Sequence, residues 1–257
     1  SPFLLAHAGS YMNHTSAAAF TAAAVWCALR ALDGRGGFAL ATGVLAAFAL
    51  TTRPLAALVM IGAAVLTAWV GQALRERRAA PLLRNVGLGI LGGLPFSLLH
   101  FWHNARFFGG PLRLGYIEAY GPSHELGFGL DPWGNRYALV EAVAYTSSDL
   151  TLLGVGIFET PLPLVALVGL WLLLARRLSP GESILAAWAL APVAANFFYW
   201  HHGIFMGPRM LNEAAPAWAL LVAVAIDALV RRVPRETLLA GRRYAPRVAF
   251  VAALGVV

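Results

Sequence analysis

The chain has 257 residues, of which 59% are hydrophobic and only 12% are charged, and its mean hydropathy is +0.68. A soluble domain of this size needs a far more charged surface, so the composition excludes an ordinary water-soluble protein and favours a protein of the lipid bilayer. The net charge of +7 comes from 19 arginines that lie mostly in short segments between apolar runs, which indicates topology signals and argues against nucleic-acid binding.

A membrane-spanning helix needs roughly 20 apolar residues. The hydrophobic runs therefore predict an all-α, polytopic transmembrane helical bundle with about eight spans. The predicted spans are Thr15–Leu32, Phe38–Thr52, Leu55–Leu74, Leu83–Phe101, Pro161–Ala175, Ser183–Trp200, Leu211–Val230 and a truncated one from Val248. Because the chain starts at Ser1 rather than Met and stops at Val257 inside an apolar run, we interpret residues 1–257 as a single transmembrane domain truncated at both ends.

Positive charge alternates between the connections and assigns the two sides of the bundle. Fourteen of the 19 arginines fall in every second connection, which the positive-inside rule makes cytoplasmic. They are Arg30, Arg35, Arg75, Arg77, Arg78, Arg84, Arg176, Arg177, Arg231, Arg232, Arg235, Arg242, Arg243 and Arg247. The other connections carry Arg53, Arg106, Arg113, Arg136 and Arg209. All seven histidines then fall at or near the outer face, so we expect any chemistry to be extracytoplasmic.

The second predicted span is short, and it meets the third through Thr51-Thr52-Arg53-Pro54 with almost no loop. Short or proline-interrupted spans often mark a site in membrane proteins, although a plain tight helical hairpin has the same pattern. Arg53 is flanked by long apolar runs, so its charge needs a partner there, either a carboxylate or an anionic ligand.

Residues 104–159 form one long connection, which we expect to be an ordered extracytoplasmic loop because it is rich in aromatic residues, glycine and proline. Asp131-Pro132 is a typical N-cap and first-turn pair, and Tyr137, Val140 and Val143 follow at helical spacing. We predict a short helix that starts here and lies on the outer surface of the membrane.

Arg209 lies just before a predicted span on the outer side, after His201-His202. An arginine at a membrane surface can hold a phosphate by paired hydrogen bonds, and nearby Glu213 is placed to hold that arginine. Arg53 and Arg209 together predict a cradle for one lipid-linked phosphate or diphosphate. The alternative is that each arginine has a purely structural ionic partner.

Other polar residues of the outer face are weaker candidates. Tyr11 and His14, at the start of the first span, either cap the helix or bind a sugar or phosphate. The substrate-loop candidates are Asn104, Tyr116, His124, His201, His202 and Glu213. His100 and His103 share a helix face, but no metal-binding spacing such as HExxH is present, so a divalent metal is only weakly supported and no cofactor is expected with certainty.

Four groups of segments follow one another along the chain: Ser10-Tyr11-Met12-Asn13-His14; Thr52-Arg53-Pro54; Asn104 followed by Phe108-Gly109-Gly110-Pro111 and Gly115-Tyr116; and Gly207-Pro208-Arg209-Met210-Leu211 with Glu213 and Pro216. In this order they resemble the membrane glycosyltransferases of the GT-C fold. The similarity is closest to the bacterial relatives of dolichyl-phosphate-mannose protein mannosyltransferases, a family 39-like group. The segments run through most of the chain.

The resemblance implies an enzyme of the bacterial inner (plasma) membrane and cell envelope, with its active face extracytoplasmic. Such enzymes move a sugar from a polyprenyl-phosphate donor to a hydroxyl of a lipid, glycan or protein acceptor. The family's catalytic aspartate lies in the first outer loop, and the resemblance implies that this chain begins beyond that loop, so the catalytic residue is unknown here. The alternatives are a transporter or flippase of a lipid-linked or anionic substrate, and a structural membrane protein with no site.

Overall fold

The computed structural model of the protein describes residues 8–9, 13–121, 126–160, 162–175, 177–202 and 208–231, apart from the side chains of residues 56, 116 and 120. It is 78% helical, which confirms the predicted all-α class. The helices are α1 (His14–Ala31), α2 (Gly36–Thr52), α3 (Pro54–Ala56), α4 (Gly62–Glu76), α5 (Ala80–Phe108), α6 (Gly115–Tyr120), α7 (Leu139–Phe158), α8 (Leu164–Leu174), α9 (Pro180–Asn196) and α10 (Ala215–Val230). A π-turn at Ala57–Ile61 joins α3 to α4, and a 3₁₀ helix at Arg209–Ala214 leads into α10.

Within the described residues, three continuous helical segments are long and apolar enough to cross a membrane, namely Ala57–Glu76, Ala80–Phe108 and Arg209–Val230. The chain is therefore compatible with a membrane protein, but the eight predicted spans are not confirmed, and the predicted span from Val248 lies outside the described residues. The apolar helix α8, for example, has 11 residues. At a rise of 1.5 Å per residue it is about 16 Å long, roughly half of the hydrocarbon thickness of a bilayer.

Helices α2 and α5 approach each other closely because glycines occupy their contact. A Cβ atom on Gly43 would lie 1.8 Å from the backbone oxygen of Gly89, and one on Gly92 would lie 2.1 Å from that of Leu40. Gly89 and Gly93 have the GxxxG spacing that allows close packing of helices in membranes. Most of α5 is exposed on the outside of the bundle, since only 17% of its most apolar stretch is buried inside the protein.

Three tryptophans form the centre of the buried core. Trp69 of α4, Trp188 of α9 and Trp218 of α10 are all at most 4% exposed. The indole of Trp69 donates a hydrogen bond to the Ala28 carbonyl of α1 at 3.1 Å, so the ring also fixes the neighbouring helix. Helix α4 packs on both α1 and α9, and α9 packs on α10, so the four helices share this core.

The tight corner predicted at Thr51-Thr52-Arg53-Pro54 is confirmed. Arg53 is the single residue between α2 and α3, and its backbone is extended, with φ −146° and ψ 87°. An extended residue is what a following proline favours, and Pro54 then takes the first helical position, where its missing N–H costs nothing. The π-turn that follows is a local irregularity of a kind often found at functional sites.

The connections separate into two ends of the bundle. At one end, Arg84 Nη1 donates to the Gly34 carbonyl at 3.3 Å, and Gln72 Nε2 donates to the Leu32 carbonyl at 3.1 Å. At the other end of α1, Asn13 Nδ2 donates to the Thr52 carbonyl beside Arg53. The arginine-rich connections around Gly34 and after α4 therefore share one end, and Arg53 lies at the opposite end, as the charge alternation predicts.

The interpretation of residues 104–159 needs two corrections. Asn104 is not in a loop, because α5 continues to Phe108 and ends at Gly109, a left-handed residue with φ +79°. Asp131 does not start a helix; it starts the turn between two short antiparallel strands, β1 (Gly129–Leu130) and β2 (Arg136–Tyr137).

The Asp131 carboxylate explains this second difference. It accepts hydrogen bonds from the backbone N–H groups of Trp133 and Asn135 at 2.9 and 2.8 Å, which closes a turn rather than capping a helix. The helix starts later, at Leu139, where the Glu141 carboxylate accepts from the Ala138 N–H at 3.0 Å, and it continues for 20 residues to Phe158, so it is not the short helix that was predicted.

Candidate functional site

A buried ionic cluster joins three segments that are far apart in the sequence. Arg53 Nη1 lies 3.0 Å from Glu213 Oε1, and His14 Nδ1 lies 3.2 Å from the same oxygen. Arg53 also contacts the His14 ring, with 2.9 Å between Nη1 and Nε2. Arg53 Nη1 also contacts His14 Nδ1, so both ring nitrogens face the guanidinium and Nδ1 faces Glu213 as well.

Each member of this cluster is placed by a helix end. Arg53 is the corner residue between α2 and α3, His14 is the first residue of α1, and Glu213 lies in the 3₁₀ helix. The Trp188 indole donates to the Glu213 carbonyl at 3.2 Å, which ties the 3₁₀ helix to α9. Glu213 is 0% exposed and His14 is 4% exposed, whereas the Arg53 side chain is 18% exposed and reaches toward open space.

That open space is a cavity of about 560 Å³ at the Arg53 end of the bundle. Both predicted arginines line it, together with His14, Asn13 and Asn196. None of the described residues that line it is acidic. Its remaining wall is largely apolar and includes Leu55, Val59, Met60, Leu114, Pro192, Ala195 and Met210.

Glu213 pairs with a different arginine from the one predicted. Sequence proximity suggested Arg209, but the carboxylate contacts Arg53. Arg209 and Glu213 are four residues apart within a 3₁₀ helix, which turns about 120° per residue, so the two side chains diverge by about 120°. Arg209 Nη2 instead donates to His201 Nε2 at 2.7 Å. The Glu213 carboxylate is thus the ionic partner that Arg53 needs, and it does not line the cavity.

A second cavity, of about 270 Å³, adjoins the first, and Arg209 lines both. Its other wall residues come from the β1–β2 hairpin, from α7 and from the segment after α9. They are Asp131, Trp133, Asn135, Arg136, Tyr137, Tyr145, Trp200, His201 and His202. The Trp133 and Trp200 rings are 5.4 Å apart and nearly perpendicular, at 89°.

A buried hydrogen-bond chain supports the wall of this second cavity. His202 Nδ1 lies 2.6 Å from Asp149 Oδ2, and His202 Nε2 lies 3.1 Å from the Tyr137 hydroxyl. The hydroxyl also donates to the Phe197 carbonyl at 2.9 Å. Asp149, His202 and Tyr137 are each at most 3% exposed. Burial, followed by the negative charge of Asp149, raises the pKa of Tyr137 to about 12.

The other predicted site residues are scattered. Asn104 lines neither cavity of the two arginines; it donates to the Pro111 carbonyl at 3.3 Å in the wall of a third cavity of about 480 Å³, which includes His100 and His103 and shares Pro54 and Leu114 with the first. Tyr116 is in α6, but its side chain is not among those described, and Tyr11 and His124 lie outside the described residues. Within the described part of the chain, no three His, Cys, Asp or Glu residues are grouped as a metal site would require.

Sequence reasoning missed the Asp149–His202–Tyr137 chain. His202 was a candidate and Asp149 was placed on the same outer side, but 53 residues separate them and no local spacing links them. Searches against protein-family models, curated proteins and solved structures find no match to this chain.

Proposed function

We propose that this chain belongs to an integral membrane glycosyltransferase that moves a sugar from a polyprenyl-phosphate donor to an acceptor hydroxyl on the extracytoplasmic face. One observation carries the proposal: Arg53 and Arg209, from two separate breaks in the helices, line one cavity at the end of the bundle opposite the arginine-rich connections. The resemblance to the GT-C glycosyltransferases supports the same assignment.

The cavity suits an amphiphile with a charged head. Its two guanidinium groups favour an anion, and phosphate is an anion that arginine binds by paired hydrogen bonds. The apolar wall formed by Leu55, Val59 and Met60 suits the first units of a prenyl tail. Because Glu213 compensates one of the two positive charges from behind, the pair retains an excess positive charge toward the cavity.

The chemistry follows from where charge develops. When the bond between the sugar and the phosphate breaks, the departing phosphate gains negative charge, and fixed cations stabilise that charge without reorganising. Arg53 is fixed by Glu213 and His14, and Arg209 contacts His201, so both guanidinium groups are held before the substrate arrives. In this proposal the arginines bind and stabilise the leaving group, and the role of base is assigned to no residue of this chain.

The test is transfer of a radiolabelled sugar from a polyprenyl-phosphate donor in membranes that contain the full-length protein. Arg53→Ala and Arg209→Ala should each lower the rate by about 100-fold or more, the usual effect of removing one preorganised donor. Arg113→Ala is the matched control, because Arg113 lies at the same end but pairs with exposed Glu118 at 3.5 Å and does not line the cavity. Its rate should stay within about twofold of the wild type.

Loss of folding must be separated from loss of binding, because Arg53 also holds the buried Glu213. Arg53→Lys keeps the positive charge but not the planar fork, so it should fold and still lose most of the activity. If both alanine variants keep the activity of the Arg113→Ala control, the proposed phosphate site is wrong. Movement of the labelled lipid across the membrane with no transfer would assign a flippase instead.

A further inference from the structure

The second cavity has features that the proposed function does not use. It joins the first at Arg209, and two tryptophans and a polar turn form its outer wall. We propose that this cavity binds the pyranose ring of a glycosyl phosphate whose phosphate lies at Arg209. The inference rests on the proposed function, because it places the sugar of the same donor.

The two indoles provide a surface for a sugar ring. Trp133 and Trp200 both line the cavity, and their rings meet edge to face. An aromatic face carries partial negative charge and attracts C–H groups, which line one side of a pyranose. Trp133 is 74% exposed despite being among the largest apolar side chains, so core packing does not account for it.

The polar groups between these rings are held in place. Asp131 Oδ1 accepts from the Trp133 and Asn135 backbone, and Asn135 Nδ2 donates to Asp131 Oδ2 at 2.9 Å. This arrangement fixes the turn, and both Asn135 and Arg136 line the cavity. An amide oxygen accepts from a sugar hydroxyl and a guanidinium donates to one, so the two together can orient a ring.

Two further wall residues, His202 and Tyr137, are held in place by hydrogen bonds. His202 and Tyr137 line the cavity and are joined by hydrogen bonds to buried Asp149 and to the Phe197 carbonyl. A preorganised wall lowers the entropy cost of binding a small ligand. The volume of about 270 Å³ lies just below the range of about 300–1,000 Å³ for drug-sized ligands, and it suits a single ring.

The order of surfaces matches the order of groups in the proposed donor. Arg209 borders both cavities, the apolar residues Val59 and Met60 line only the first, and the two tryptophans line only the second. A prenyl phosphate sugar has the same sequence of tail, phosphate and ring. Because Arg209 borders both cavities, a phosphate bound to it places the attached ring at the entrance of the second.

The test compares two water-soluble probes, geranyl phosphate and geranyl phosphate hexose, binding to the full chain in nanodiscs. Trp133→Ala should weaken the hexose-bearing probe by about tenfold and leave geranyl phosphate unchanged. Arg209→Ala should weaken both probes. Trp102→Ala is the matched control, since Trp102 is 61% exposed on α5 and lines neither cavity, and it should weaken neither probe.

The outcomes separate this inference from the proposed function. The inference fails if Trp133→Ala weakens both probes equally, if Trp102→Ala has the same effect, or if the hexose adds no affinity. A methyl hexopyranoside without phosphate that binds as tightly as the hexose-bearing probe would assign the cavity to an acceptor sugar and also overturn it. If neither phosphate probe binds the wild type, the proposed function fails. Quenching of tryptophan fluorescence by the methyl glycoside, if it is abolished in Trp133→Ala, would then still support a sugar-binding cavity. Absence of quenching would refute the sugar-binding cavity as well.

Discussion

Replacing Glu213 tests whether the buried carboxylate holds the site together. Glu213 is fully buried and is the carboxylate that contacts both Arg53 and His14. Glu213→Ala leaves the guanidinium beside a cavity with no compensating charge at 3.0 Å. Breaking one partner of a buried ion pair costs about 3–5 kcal/mol, and the 18% exposure of Arg53 favours the lower end, about 3 kcal/mol.

This cost corresponds to a measurable loss of thermal stability. For a chain of this size each kcal/mol changes Tm by about 2–4 °C, so Glu213→Ala should lower Tm by about 6–12 °C. The assay is thermal unfolding of the purified protein in detergent, followed by tryptophan fluorescence. Glu213→Gln keeps an oxygen that accepts from Arg53, so its Tm should fall by less than that of the alanine variant.

The chain contains a matched control for this measurement. Glu118 pairs with Arg113 at 3.5 Å, but both side chains are about half exposed or more, so Glu118→Ala should change Tm by only about 1 °C. The double variant Arg53→Ala/Glu213→Ala should be less unstable than the two single changes added together, because it removes both charges at once. A Glu213→Ala protein as stable as Glu118→Ala, or strictly additive effects in the double variant, would refute the reasoning.

Three other changes test the packing and the second cavity. Gly43→Ala should destabilise the protein by about 1–3 kcal/mol because its Cβ would lie 1.8 Å from a backbone oxygen of α5. Gly87→Ala is the control: a Cβ there meets nothing within 4 Å, so the change should stabilise the protein by up to about 1 kcal/mol. Equal changes of Tm in the two variants would contradict the close packing of α2 on α5. Asp149→Asn removes the charge that His202 contacts at 2.6 Å and should cost about 3 kcal/mol in thermal unfolding, and an unchanged Tm would show that the pair is not important for stability. The raised pKa of Tyr137 favours the neutral phenol in the fold, so its stabilising contribution is complete below pH 10 and is lost as the pH rises toward about 12. The phenolate absorbance that distinguishes the wild type from Tyr137→Phe should therefore appear only near pH 12, and its appearance at pH 10 would contradict the burial of this hydroxyl.

The sequence predicted those features of the fold that local rules determine. Apolar runs located most of the long helices but not α7, and Pro54 together with the absence of a loop located the corner that holds Arg53. The alternation of arginines placed the connections around Gly34 and after α4 at the end opposite Arg53, as the hydrogen bonds there show, because it depends on chain order rather than on packing. The start of the helix at Leu139 was missed because Asp131 suits both a helix N-cap and a turn, and only the tertiary contacts of the hairpin distinguish them.

The contacts between residues far apart in the chain could not be predicted from the sequence. Glu213 was assigned to Arg209 because the two are close in the chain, yet the 3₁₀ geometry turns them apart and the carboxylate reaches Arg53, 160 positions away in the numbering. The hydrogen bonds from Asp149 to His202 and on to Tyr137 could not be predicted for the same reason, because these residues come from α7, from the segment after α9 and from β2. Such contacts depend on how helix ends meet, which no periodicity encodes.

The position of both arginines at interruptions of helices has a physical consequence. The extended corner at Arg53 and the 3₁₀ turn at Arg209 interrupt the regular helices, and the Arg53 corner keeps its backbone hydrogen bonds, since its N–H donates to the Ala49 carbonyl and its carbonyl accepts from Ala57. Non-helical backbone at the edge of a membrane is tolerated where it lines a polar cavity, and both breaks line the same one. The two arginines therefore face one space because the helices are interrupted at both positions, which is the arrangement that the proposed phosphate site requires.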